Sequence, residues 1–356
     1  MLRGFFNGIN TEIAGAGDGK FRASMIKRME ASATELLSDE LSEDEDVLLL
    51  KESLANALVS LGKVEAALPL WENIAEDMVN LRGEDSLDGL VALANLGRMY
   101  LQTEEFERAT SILARVRKIS NRALEPQDIN AVVFDHYYAT ALELSGDLQA
   151  ALKIRSKLMK LPSLEKPEYL HLRNDLNSSL GGLHLKLNQP KLAKPLLQQA
   201  VEGISTSLSP DHPIAMKIRA NLAMSKTKLG DHTGAIQEYR DILKSHLTQF
   251  PVESAPVATA KINLAAAIAN GGDAEEALEL MAEVVEETED RSFFYRAKVE
   301  QSLIKFLLLD QRDESIAELK TLVTKISAEL GENHSVAAHA RSNLRSFQAK
   351  LKGQND

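Results

Sequence analysis

A small or turn-forming residue followed five positions later by alanine returns seven times along the chain. The copies are Gly62/Ala67, Glu104/Ala109, Gly146/Ala151, Asn188/Ala193, Gly230/Ala235, Gly272/Ala277 and Arg312/Ala317. Five of the six steps between them are 42 residues and the last is 40. A fixed period of this size marks an array of supersecondary units, each of which buries its apolar face only against its neighbours. A chain of 356 residues would otherwise be expected to split into two or three domains. An array grows by adding units instead, and it offers an extended surface for another chain rather than a closed pocket for chemistry.

Each unit reads as two helices around the turn. Leu90, Leu93, Leu96, Met99 and Tyr100 keep the spacing of one helix face, and Phe106, Ala109, Ile112, Leu113 and Val116 do the same after the turn. The fifth unit repeats this with Ile214, Ile218, Leu222 and Met224 before Gly230, and with Ala235, Ile236, Tyr239 and Ile242 after it. Glycine at the turn ends the first helix in a left-handed conformation that a Cβ makes costly. The alanine lets the second helix approach closely. One position in the first helix is also small, held by Ala55, Gly97, Ala139, Gly181, Ala223 and Ala265, and Lys305 stands there in the seventh unit, predicting looser packing or a shifted register.

Linkers carry start signals: Ser209-Pro-Asp-His-Pro213 places a helix N-cap at Asp211, and Gly331-Glu-Asn-His334 places one at Asn333. After the second of these, Ser342-Asn343-Leu344 matches Ala220-Asn221-Leu222 and Ile262-Asn263-Leu264. Residues 332–356 therefore read as a capping helix and tail, with Arg341, Arg345 and Lys350 outward. Residues 1–45 read as a flexible leader with Gly15, Gly17 and Gly19, open also to reading as an organelle transit segment over residues 1–30. Asp39 to Asp46 carries six carboxylates in eight residues, read as a solvated helix start in which Ser42 and Glu45 have capping-box spacing.

Composition excludes several classes. Formal charge is −11, which disfavours phosphate backbones and anionic membrane surfaces, so nucleic acid is not an expected partner. Cysteine is absent, removing disulfides, thiolate metal sites and cysteine nucleophiles. No apolar run reaches the roughly 20 residues of a membrane span. No nucleophile elbow, phosphate loop, dinucleotide fingerprint or HExxH is present, and Ala14 to Lys20 lacks Walker spacing, so neither an enzyme nor a cofactor is expected. Trp71, the one tryptophan, has core spacing with Leu68 and Ile74.

Paired helices, the turn glycine and the second-helix alanine make residues 46–331 resemble tetratricopeptide repeats. The 42-residue period resembles the kinesin light chain variety. Leu208-Ser-Pro-Asp-His-Pro-Ile-Ala and Leu330-Gly-Glu-Asn-His-Ser-Val-Ala are similar to the linker of that subfamily, and Asn221-Leu222-Ala223 and Asn263-Leu264-Ala265 to its first-helix core. Residues 1–45 do not supply the heptad segment by which kinesin light chains join a motor. The resemblance implies an all-α, right-handed solenoid of about seven antiparallel helix pairs plus a C-terminal capping helix, with first helices lining a concave groove. It also implies a non-enzymatic scaffold or adaptor that binds a segment of another protein. A peptide-sensing regulatory switch and an organellar assembly factor are the alternatives. A cytoplasmic location is expected, or an organelle lumen if the leader directs import.

Carried onto this chain, the resemblance places Asn95, Asn221, Asn263 and Asn343 on the groove, where an amide can both donate to and accept from a peptide backbone. The other reading is that these amides bond their own solenoid. Neighbouring positions hold Arg98, Lys186, Lys217 and Lys228, which would draw an acidic segment or stand as solvated lysines. Lys217 and Asn221, four apart, share a helix face and are similar to part of the clamp by which co-chaperone tetratricopeptide domains hold a terminal carboxylate.

Overall fold

The computed structural model describes residues 18–38 and 45–352. These form sixteen α-helices and two short 3-10 turns, with no strand among the described residues. The chain divides into two compact units at Leu170/His171. None of the described helices is long and apolar enough to cross a membrane.

The first unit holds α1 (Asp18–Ser38), α2 (Glu45–Ser60), α3 (Val64–Arg82), α4 (Leu87–Gln102), α5 (Phe106–Ala123), α6 (Ile129–Leu144) and α7 (Leu148–Leu158). Each helix from α2 to α6 packs on its successor, giving three hairpin pairs. Helix α1 occupies part of the segment read as a leader. It lies against both α2 and α3, and Met29, Ala33 and Leu36, spaced along one helix face, are buried. Gly15 and Gly17 before it, and Asp39 to Asp44 with the capping-box serine, lie outside the described residues, while Gly19 falls within the first turn of α1. Glu45 opens α2 and pairs with Arg82. After α7 the prolines at 162 and 167 each open a 3-10 turn, since neither can donate into a longer helix.

The second unit holds α8 (Leu170–Lys186), α9 (Pro190–Ile204), α10 (Pro213–Lys228), α11 (His232–Gln249), α12 (Ala255–Asn270), α13 (Ala274–Glu287), α14 (Arg291–Leu308), α15 (Arg312–Leu330) and α16 (Ser335–Lys352). Successive helices from α9 pack on one another, and the first helices α10, α12, α14 and α16 touch in sequence. These first helices form a continuous layer within the unit. Helix α16 closes it: Phe347 stacks on Phe306 with ring centroids 3.7 Å apart.

The turns are left-handed at Gly62, Glu104, Gly146, Asn188, Gly230, Gly272 and Asp310. The expected seventh anchor is therefore corrected, since Asp310 stands 38 residues after Gly272 and Arg312 is inside α15. Ala67, Ala109, Ala151, Ala193, Ala235 and Ala277 are fully buried, and in the seventh pair Ser315 takes that role while Ala317 is exposed. The small first-helix position is likewise Ser302, at 1% exposure, and not Lys305. Of the two readings of the seventh unit, the register shift is the one found. From Gly272 to Ser302 is 30 residues, whereas the equivalent step from Gly230 to Ala265 is 35. Helix α13 ends early and a three-residue linker capped by Asp290 follows. One residue is then regained at the end of α14. There the amide of Gln311 bonds the carbonyl of Lys305, six back, where Asp273 bonds Ile268, five back.

The N-caps of α10 and α16 also fall one residue later than expected. His212 and His334 each accept, at Nδ1, from the amide two residues on, at 3.2 Å. Asp211 is instead occupied from α11, with its side chain accepting from Ser245 and its carbonyl from Gln249.

Candidate functional site

Three helices of the second unit enclose a cleft of about 470 Å³. Its walls are the first helices α10 and α12, and its floor is α11. Pro213 starts α10 directly after the His212 cap, which sets Pro213, Met216, Lys217, Ala220 and Asn221 along one face. On the far wall Pro256, in the first turn of α12, begins the face that carries Thr259, Ala260 and Asn263. Asp231 caps α11 through Gly234 at 3.1 Å and presents Tyr239, Ile242 and His246 upward.

The floor is tied to one wall by Tyr239, whose hydroxyl donates to the carbonyl of Ala220 at 3.0 Å. Burial raises the Tyr239 hydroxyl well above its ordinary pKa, so it stays a donor at any physiological pH. Burial pushes His246 the other way, below the usual imidazole value. Its Nδ1 is buried without a hydrogen-bond partner among the described residues, and its ring lies tilted against Phe250 at 5.6 Å. The floor is thus a neutral, largely apolar surface.

The walls differ in character. The amides of Asn221 and Asn263, both half-buried, make no hydrogen bond among the described residues. Lys217 is exposed at the mouth without an ion pair among the described residues, and no aspartate or glutamate lines the cleft. The arrangement offers two amides, each with donor and acceptor capacity, one ammonium, and an apolar floor that accepts a side chain.

The remaining expected residues stand elsewhere. Asn95 and Arg98 belong to α4 in the first unit, half-buried, with the Arg98 Nε buried and without a hydrogen-bond partner among the described residues. Lys186 is exposed at the end of α8. Lys228, at the end of α10, donates to Asn188 Oδ1 at 3.1 Å, so it serves a neighbouring turn. Asn343 bonds the His339 carbonyl one turn back at 3.1 Å, the internal use that the sequence left open. The structure therefore brings together Lys217, Asn221 and Asn263. Sequence reasoning missed Met216, His246 and Phe250 as lining residues. The available signal was the i, i+3, i+7 spacing of Tyr239, Ile242 and His246 on one face of α11.

Residues 46–122 and 221–292 match tetratricopeptide repeat families. No curated protein matches the chain. Among solved structures, the apo form of the quorum sensor NprR from B. thuringiensis aligns with a TM-score of 0.63 at 15% identity, over 86% of this chain and 82% of that one. NprR in complex with its cognate peptide NprX gives 0.61 at 15% identity, over 86% and 89%. A Rap protein complexed with competence and sporulation factor gives 0.58 at 14% identity, over 88% and 90%. At such identities these likenesses concern the fold.

Proposed function

We propose, from the premise that this chain is a tetratricopeptide repeat protein, that it is an interaction scaffold whose α10–α12 cleft holds an extended segment of another protein. The observation that carries this reading is the pair of unbonded amides, Asn221 and Asn263, one repeat apart on facing walls. An extended peptide presents backbone donors and acceptors along its length, and two such amides grip it without reading its side chains. The Tyr239–Ile242–His246 floor takes one apolar side chain, and Lys217 favours a carboxylate at the mouth. The NprR–NprX complex is an example of this fold with a peptide bound.

The test is affinity capture with the full chain and with Asn221→Ala/Asn263→Ala, followed by identification of what co-purifies. Hydrogen bonds contribute roughly 0.5–1.5 kcal/mol each, so the double variant should lose roughly 5- to 150-fold in affinity for the captured segment. Its melting temperature should stay unchanged, because neither amide bonds the fold. Equal capture by both proteins would reject the cleft as the site. A peptide-sensing switch is the second reading, supported by the extent to which the NprR fold is matched. It requires that the captured peptide alter hydrogen exchange beyond α10–α12, whereas a scaffold would be protected only there.

A further inference from the structure

One first-helix position, eleven residues before the left-handed turn, holds a cation in three pairs: Lys51, Arg219 and Lys261. Each is satisfied by the second helix of its own pair. Lys51 reaches Asp77 at 3.3 Å and also bonds Asn73. Arg219 pairs with Glu238. Lys261, buried, is held by Glu283 and Glu287, both at 2.6 Å. Two carboxylates one helical turn apart thus complete this lysine. Burial opposes its charge, and the two glutamates more than compensate, raising its pKa.

Allowing for the residue regained at the end of α14, Lys298 occupies the same place in the seventh pair. Across from it, Thr321 and Lys325 stand where Glu283 and Glu287 stand in the sixth. The ammonium groups of Lys298 and Lys325 make no ion pair or hydrogen bond among the described residues, and both side chains line a groove of about 660 Å³ between α14 and α15. The other charges facing the groove are largely spoken for. Arg291 pairs with Glu329 at 2.8 Å and Lys305 with Glu318 at 2.8 Å, leaving Glu314 as the one lining carboxylate without an ion pair among the described residues. Arg291 also covers the Phe294 and Tyr295 rings, 4.5 and 4.7 Å from their centroids, and so fixes one end of the groove.

We propose that the α14–α15 groove is a second binding site, distinct from the α10–α12 cleft, that takes an acidic segment of a partner protein bearing two carboxylates one helical turn apart. The ligand chemistry is that of the sixth pair: what Glu283 and Glu287 supply to Lys261 from within, the partner supplies to Lys298 and Lys325 from outside. Lys298 and Lys325, which act on Glu318 and Glu329 through their charge but form no ion pair with them, give an acidic segment a local cationic patch on a chain whose net charge is −11.

The probe is a fluorescein-labelled, alanine-based helical peptide with two glutamates one turn apart, titrated onto the full chain at low salt by fluorescence anisotropy. A glutamine-substituted peptide is the control. A charge-assisted hydrogen bond contributes roughly 1.5–3 kcal/mol, so Lys298→Gln should weaken the glutamate peptide about tenfold or more. Lys325→Glu restores in cis the carboxylate that Glu287 provides in the sixth pair. It should abolish peptide binding while leaving the melting temperature equal or higher, which separates loss of the site from loss of fold. Asn221→Ala/Asn263→Ala should bind this peptide normally, so the two sites fail or stand independently. Equal binding of the glutamate and glutamine peptides overturns the proposal, as does unchanged affinity in Lys298→Gln and Lys325→Glu.

Discussion

Replacing Glu104 by glycine should stabilise the first unit. Glu104 holds the left-handed turn between α4 and α5 at φ 62°, where Gly62 and Gly146 hold the equivalent turns at 76° and 92°. Its side chain is exposed and makes no hydrogen bond or ion pair among the described residues that the substitution would forfeit. A Cβ in the left-handed region costs roughly 1–2 kcal/mol. Glycine gives back roughly 0.4–1 kcal/mol through the added freedom of the unfolded chain. The midpoints of the two ranges favour Glu104→Gly by about 0.8 kcal/mol. Gly230→Ala should cost about the same in the opposite direction, as a Cβ built at Gly230 meets nothing within 4 Å and only the backbone term acts. Trp71 is the natural reporter: it is the one tryptophan, 1% exposed, on α3, the helix against which α4 packs. With a urea dependence of roughly 1–3 kcal/mol per molar, the Trp71 unfolding midpoint should rise by about 0.2–1 M. A fall in the midpoint, or none of the expected rise, would refute the assignment of a strained left-handed residue at this turn.

Two further outcomes follow from buried charges and from burial itself. Lys51→Met should destabilise by about 3–5 kcal/mol, because Asp77 is left buried without its cation, and Lys51→Met/Asp77→Leu should recover most of the loss; the two urea midpoints check this. His246 has a native pKa held by burial below its ordinary value of 6.5. From about pH 6.5 downward, the unfolded chain therefore binds a proton that the native chain does not, and stability falls with pH until the native value is reached. Above about pH 7 the term vanishes. Melting temperature against pH should show this slope in the parent chain and lose it in His246→Gln.

The period was legible because turn chemistry and close packing impose it locally. A glycine that ends one helix and an alanine that seats the next are single-residue signals, and six of the seven anchors stand where they were read. The seventh misled because alanine is also a good helix former on an exposed surface. Ala317 fits the spacing, and only burial distinguishes it from Ser315, which does the packing. Helix α1 was hidden for the opposite reason. Met29, Ala33 and Leu36 make a proper helix face, but no turn residue or alanine partner announces it. At the cleft, Lys217, Asn221 and Asn263 could be grouped from helical spacing and the repeat. His246 shares a readable face of α11 with Tyr239 and Ile242, and Phe250 follows at the helix end, but which cleft that face floors is set only by packing. Lys228 and Asn343 shared the pattern yet were drawn off by Asn188 and His339, neighbours visible only once the chain is folded.

The tolerance of the turns for residues other than glycine points to what sets the register. Three of the seven left-handed positions, Glu104, Asn188 and Asp310, carry a Cβ, so the turn is imposed by packing as well as permitted by sequence. The packing rule is visible where the small first-helix residue meets the large residue four after the buried alanine. A Cβ on Gly97 would lie 2.6 Å from Leu113 Cγ, and one on Gly181 would lie 2.7 Å from Leu197 Cγ. In the same register Ala55, Ala139, Ala223 and Ala265 stand with Trp71, Arg155, Tyr239 and Met281, none of which has leucine's tetrahedral branch at Cγ. Glycine goes with leucine and alanine with the others, so each pair satisfies one steric account at a depth of a single carbon. The seventh pair breaks it, with Ser302 opposite Leu319. That is where the α14 register shifts, where Ser302 turns its hydroxyl to Glu318 at 2.9 Å, and where the groove bearing Lys298 lies. The departure from the repeat and the second candidate site thus share one location.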